Sequence, residues 1–210
     1  MNDDTEALKR IENILRTDDL SEGLEVVGLA LSLHDEEEQC LSLLNITRWL
    51  VERDDWQKAL GAAQLMPESY EKCEALRSVG EKLGKIGHIE KAFTALADAE
   101  TAATGGTLEE WQQAELLHSV AKSLRTMNAI FKANEVWQKA IEIAQRGQES
   151  VSPQDAHDCA SVLFEIADYF AEAGLADKAV QTAARIQYSH LPEQYEAKMF
   201  LYSQQVRQVA

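Results

Sequence analysis

Three features of this 210-residue chain predict an all-α fold: a solenoid of about five stacked helix pairs with a C-terminal capping helix. The first is a recurring apolar pattern. A leucine-type residue is followed three and seven positions later by two more apolar residues, and a small residue comes thirteen after the second, as in Leu76, Val79, Leu83, Ala92 and Leu163, Ile166, Phe170, Ala179. Residues at i, i+3 and i+7 lie on one side of a helix, and self-similarity of this kind marks stacked helix pairs. The second is a helix-ending residue four positions after the third anchor of every copy: Asp18, Asp54, Gly87, Asn128 and Gly174. Gly and Asn accept a left-handed backbone, and Asp accepts local hydrogen bonds. The third is scarcity of turn formers: 3 prolines and 10 glycines are too few for the tight turns of a β-rich protein.

Taken in order, the units span about 4–36, 39–66, 68–104, 107–147 and 153–188, with the cap at 192–208, all within one domain. The first is degenerate, with Ala7, polar Arg10, Ile14 and Gly23 at the pattern positions. The second carries Leu43, Ile46, Leu50 and Ala59; the fourth carries Leu117, Val120, Leu124 and Ala133. Each small residue lets the second helix approach the first closely, where a bulkier group would strain the packing. Pro67, Pro153 and Pro192 sit where first helices or the cap begin, since proline suits the first turn. Thr107-Leu108-Glu109-Glu110 reads as a capping box after Gly105-Gly106. The small residues are separated by 36, 33, 41 and 46 positions, so lengths grow toward the C-terminus. The echo of Trp56-Gln57-Lys58-Ala59 in Trp137-Gln138-Lys139-Ala140 would shift the fourth unit by seven; Ser119-Val120-Ala121 and Leu124 keep Ala133 in register.

Net charge is -16, from 36 acids against 20 bases, which disfavours a nucleic-acid partner. Residues 1–40 hold 12 of the acids and 3 of the bases, including Asp35-Glu36-Glu37-Glu38. Exposed charge is the ordinary fate of such residues, and an acidic patch for a basic partner is the sharper alternative. The opening Met1-Asn2-Asp3-Asp4 has no basic or apolar leader pattern, and no apolar run reaches the length of a membrane span. A soluble cytoplasmic protein that does not act at a membrane is the expectation. Three cysteines, Cys40, Cys73 and Cys159, cannot all pair within one chain, and reduced thiols fit that compartment.

The pattern resembles the tetratricopeptide repeat family, in which the first helix carries a leucine or aromatic, a leucine with a small neighbour, and another leucine or aromatic. Leu117, Val120-Ala121, Leu124, Ala133, Trp137 and Ala140 match it, as do Leu76, Val79-Gly80, Leu83, Gly87, Ala92, Leu96 and Ala99. Leu163, Ile166-Ala167, Phe170, Gly174, Ala179, Ala183 and Ile186 complete the set. The family's proline at the end of the second helix is absent, and the repeat length varies. The resemblance implies a right-handed α-α superhelix whose first helices line a concave groove. It also implies a non-catalytic protein–protein interaction scaffold or adaptor. An acidic chaperone for a secreted or aggregation-prone client, and a ligand-sensing regulatory subunit, are the alternatives.

The faces opposite the anchors nominate groove residues: Leu44, Arg48 and Val51; Arg77 and Lys85; His118, Lys122 and Arg125; and Phe164. Five of these are basic, which suggests a locally basic, partly apolar groove for an acidic protein or peptide segment, with arginine forks on carboxylates. Ordinary solvated helix faces, balanced by Glu52, Glu74, Glu81 and Glu115, are the competing reading. The carboxylate clamp of some family members is not carried over, because Leu44 and Glu115 stand where cations belong. No catalytic residue, metal site or cofactor is expected. His157-Asp158-Cys159 lacks partners at ligand spacing, and Gly105-Gly106 lacks the lysine and strand of a phosphate loop. Trp49 and Tyr169 precede their third anchors, where packing against the next repeat competes with an interface role. In the cap, Met199, Phe200, Leu201 and Tyr202 offer a surface for self-association.

Overall fold

The computed structural model describes residues 3–17, 20–105, 108–187 and 195. Among them all regular structure is helical: α1 (Asp3–Leu15), α2 (Gly23–Leu31), α3 (Glu36–Glu52), α4 (Trp56–Gln64), α5 (Tyr70–Lys85), α6 (Ile89–Thr104), α7 (Glu110–Thr126), α8 (Ile130–Gly147), α9 (Pro153–Glu172) and α10 (Ala176–Ala183). No helix among them is long and apolar enough to cross a membrane. The chain divides into two compact units, Met1–Thr107 with Thr126–Asn128, and Leu108–Arg125 with Ala129–Ala210. In the first, α1 packs on α2, α3 on α4 and α5 on α6, while α3 also contacts α5. In the second, α9 packs on both α8 and α10. The proposed cap at 192–208 lies outside the described residues apart from Tyr195.

One device closes four of the first helices. Asp54, Gly87, Asn128 and Gly174 have φ of 63°, 86°, 61° and 73°, in the left-handed region. The residue after each then donates its N–H to the third anchor's carbonyl: Asp55 to Leu50 (3.0 Å), His88 to Leu83 (2.9 Å), Ala129 to Leu124 (3.0 Å) and Leu175 to Phe170 (2.8 Å). This reversal satisfies carbonyls that a helix end would otherwise orphan, and it fixes where the next helix starts. Asp18, the corresponding residue of the first unit, is outside the described residues.

The starts are local as well. Asp35, Asp55, Ser69 and Ser152 accept from the N–H three residues on, capping α3, α4, α5 and α9. Pro153 occupies the first turn of α9. Pro67 precedes α5 by three residues, and Ser69 sets the start instead. Thr107 and Pro192 fall outside the described residues.

The anchors form the core. Leu43, Ile46, Leu50, Leu76, Val79, Leu83, Leu117, Val120, Leu163 and Ile166 are fully buried. Ala59, Ala92, Ala133 and Ala179 are buried too, and each donates to the carbonyl four residues back, at the first residue after its turn. Ala133 thus holds the fourth unit's register, with Ala140 buried two turns further along the same helix. At Gly80 the approach of α6 is closest: a β-carbon there would lie 2.8 Å from Leu96 Cγ. The first unit departs from the pattern. Arg10 is exposed and pairs with Glu25, and Ile11 with Ile14 faces the core instead. An arginine at the second anchor rotates α1 so that its neighbouring isoleucine takes the inside position.

Candidate functional site

Three of the nominated groove residues are interior. Leu44, His118 and Phe164 retain 7%, 6% and 3% of their exposure. The physical reason is visible on α3, which is covered on two sides because it packs against both α4 and α5. Cys40, Leu43, Leu44, Thr47 and Leu50 make one buried stripe, and Ser42, Ile46 and Trp49 widen it. The solvent-open stripe therefore runs through Leu41, Asn45, Arg48 and Glu52. The equivalent positions are Glu74, Ser78, Glu81 and Lys85 on α5, Glu115, Ser119, Lys122 and Thr126 on α7, and Ser161, Glu165, Asp168 and Glu172 on α9. Acids outnumber bases at these positions.

In the first unit Arg77 and Arg48 are already engaged. Arg77 donates through Nε and Nη2 to both oxygens of Glu74, each at 2.9 Å, and through Nη1 to Glu81 at 2.6 Å. The side chains of Arg77 and Glu74 are only 23% and 14% exposed, so the fork is shielded from solvent. Arg77 is held firmly protonated, first by its hydrogen bond to Glu74. Arg48 approaches the same carboxylate at 3.8 Å from α3 and keeps half its surface. Val51 is half-buried and Lys85 is exposed at the end of α5. Between α1 and α3 the same unit opens a cleft of about 250 Å³, lined by Leu8, Ile11, Leu15 and Leu41 with Glu12 and Glu38 at its rim. Leu41 is 44% exposed at its edge.

In the second unit an aromatic quartet organises the interior. The Trp137 indole N–H donates to His118 Nδ1 at 3.0 Å. Indole can only donate, so this histidine is neutral with its proton on Nε2. Burial, and then the Lys122 charge, hold His118 down at about 3. Tyr169 lies edge-on to His118 at 5.6 Å between centroids, and Phe170 is 5.0 Å from Trp137. Lys122 is exposed with its ammonium 5.5 Å above the Tyr169 ring. Phe164 stacks on Tyr195 at 4.2 Å. Arg125 is half-buried at the end of α7.

A second cleft, about 100 Å³, lies in this unit between α8 and α10. Asn134, Trp137, Gln138 and Ile141 line one wall and Lys178, Gln181, Thr182 and Arg185 the other, over Phe170. Sequence reasoning overlooked it because it followed first helices only. The signal was present, since both walls are i, i+3, i+4, i+7 stripes on second helices.

The remaining chemistry-bearing groups are inert in form. Cys40, Cys73 and Cys159 are buried free thiols. Burial pushes Cys73 and Cys159 up to about 12 and raises Cys40. Among the described residues no group of three or more His, Cys, Asp or Glu side chains is placed to hold a metal ion. Trp49, the other nominated aromatic, is buried with its N–H directed at the Thr17 carbonyl at 3.3 Å. In comparisons with protein-family models, curated proteins and solved structures, nothing matched this chain.

Proposed function

We propose that the chain is a tetratricopeptide-like solenoid that works as a non-catalytic scaffold, binding a segment of another protein along its first helices. The observation that carries this reading is the apolar cleft between α1 and α3, open to solvent at Leu41 on the face that runs on into Asn45, Arg48 and Glu52. An apolar side chain of a partner fits between Leu8, Leu15 and Leu41, while the mixed charges beside it select register by attraction and repulsion. Repetition of the helix pair supports the same reading. It holds the open stripe on rigid helices and not on loops, so little ordering is needed on binding.

Reversing Arg77 would place a third carboxylate against Glu74 and Glu81 and would damage the fold. Leu41→Glu changes an exposed edge of the cleft and leaves the core intact. Affinity capture from a lysate of the source cells with wild-type and Leu41→Glu protein, read by mass spectrometry, tests the proposal. A protein retained by wild type and lost in the variant supports it. Equal retention by both proteins, or no retention by either, overturns it.

A further inference from the structure

We propose that the cleft between α8 and α10 is a carboxylate-binding site that takes an extended acidic peptide segment. Arg10, Arg16, Arg48, Arg53, Lys58, Lys72, Arg77 and Lys82 in the first unit, and Lys132 and Arg146 in the second, pair with carboxylates. That is the natural outcome in a chain with 36 acids and 20 bases. In the second unit Lys178 and Arg185 instead meet uncharged partners. Lys178 donates to the Asn134 amide oxygen and sits 5.6 Å over the Phe170 ring. Arg185 donates to the Gln145 amide oxygen at 3.3 Å. Among the described residues no Asp or Glu lines the cleft. The amides of Asn134, Gln138 and Gln181 and the Thr182 hydroxyl share it with these cations.

Among the described residues the part-buried Lys178 ammonium meets no carboxylate, and an anion entering the cleft would supply the counter-charge. Burial, and then the nearby Arg125 guanidinium, pull Lys178 below its ordinary range. Amide oxygens satisfy the donors of Lys178 and Arg185 without cancelling their charge, while Glu142, outside the lining, accepts from Gln138 at 2.7 Å. Spacing then selects the ligand. Lys178 and Arg185 are seven residues apart on or just beyond one helix, roughly 10 Å along its axis. Three residues of polyproline II chain, which returns each third side chain to the same face, span about the same length. A segment with acidic side chains at positions i and i+3 can therefore place one carboxylate at each cation, with Trp137 and Phe170 flooring the site between them. A small inorganic anion could occupy one end only.

The occupant rests on the reading of this protein as a scaffold; the carboxylate site itself does not. The test uses the full-length ¹⁵N-labelled protein at low salt and follows side-chain amide signals of Asn134, Gln138 and Gln181 and the Arg185 Nε–H signal. The probes are a capped Gly-Glu-Gly-Gly-Glu-Gly peptide, its Gln counterpart and inorganic phosphate. Saturable shifts at these groups with the Glu peptide, none with the Gln peptide, and their loss in Lys178→Gln/Arg185→Gln support the proposal. The variant keeps the fold if its remaining spectrum is unchanged, and Gln181→Glu provides a second route, since it introduces a competing carboxylate and should weaken the peptide at least tenfold. Phosphate saturating the same groups at concentrations equal to or below the peptide overturns the peptide as occupant. Absence of shifts with both anions overturns the site. Shifts confined to Arg48, Leu41 or Lys85 would also overturn it, while leaving the first-helix proposal standing.

Discussion

Acid should destabilise this protein through His118, and the structure sets the amount. The imidazole is buried, accepts from the Trp137 indole at Nδ1 and has the Lys122 ammonium as its charged neighbour, with Tyr169 packed edge-on. Protonation would place a second donor against the indole and a charge in an apolar interior. The ordinary value is 6.5 and the folded value about 3. The unfolded chain therefore binds the proton first as pH falls. The stabilisation is complete above 6.5 and is lost progressively down to about 3. Between pH 7 and pH 5 the folded protein crosses 1.5 units of that window, which costs about 2 kcal/mol at 1.36 kcal/mol per unit. For a chain of this size that is a fall in Tm of roughly 4–8 °C. Glu165 works in the opposite sense: burial raises its carboxyl, so stability climbs as pH falls through that group. The difference between wild type and His118→Asn removes such shared terms. Asn can still accept from Trp137 through its amide oxygen, and it does not titrate. Urea unfolding of both proteins at pH 7 and pH 5 should show wild type losing its advantage by about 2 kcal/mol. A difference that does not change with pH, or an NMR titration of His118 near 6.5 in the folded protein, would refute the reasoning.

Three further outcomes follow from the packing. Gly80→Ala places a β-carbon 2.8 Å from Leu96 Cγ and 3.3 Å from the Ala92 carbonyl oxygen; it should cost about 1–3 kcal/mol in urea unfolding. Asn128 has φ of 61°, so Asn128→Ala should lower stability by about 1 kcal/mol while Asn128→Gly is neutral or stabilising; equal melts for the two variants would count against the left-handed turn. Cys40, Cys73 and Cys159 are buried and should react with a chromogenic disulfide reagent at the rate of unfolding, fully only in denaturant; rapid native labelling of any of them would contradict the packing.

Much of the local architecture was legible in the chain. Each unit's anchors sit at helical spacing, and the residue four beyond the third anchor is a type that tolerates positive φ. Both properties act over a few residues, so Asp54, Gly87, Asn128 and Gly174 could be named from sequence as helix ends before any packing was known. The small residues were equally readable, since Ala59, Ala92, Ala133 and Ala179 hold a constant offset from the anchors and the turn. In α1, Arg10 occupies an anchor position yet pairs with Glu25 at the surface, and the pattern alone could not show that Ile11 would replace it.

Where helices begin, end and turn back is written along the chain, because capping, helical periodicity and left-handed turns depend on near neighbours. Which helix face stays open, and which charges find a partner across helices, is set by packing. A helix covered on two sides buries more than one stripe, and this draws Leu44, His118 and Phe164 inside. Ion pairing depends on what packing brings within a few ångströms. That is why Arg48 of α3 reaches Glu74 of α5, while Lys178 of α10 meets an asparagine of α8.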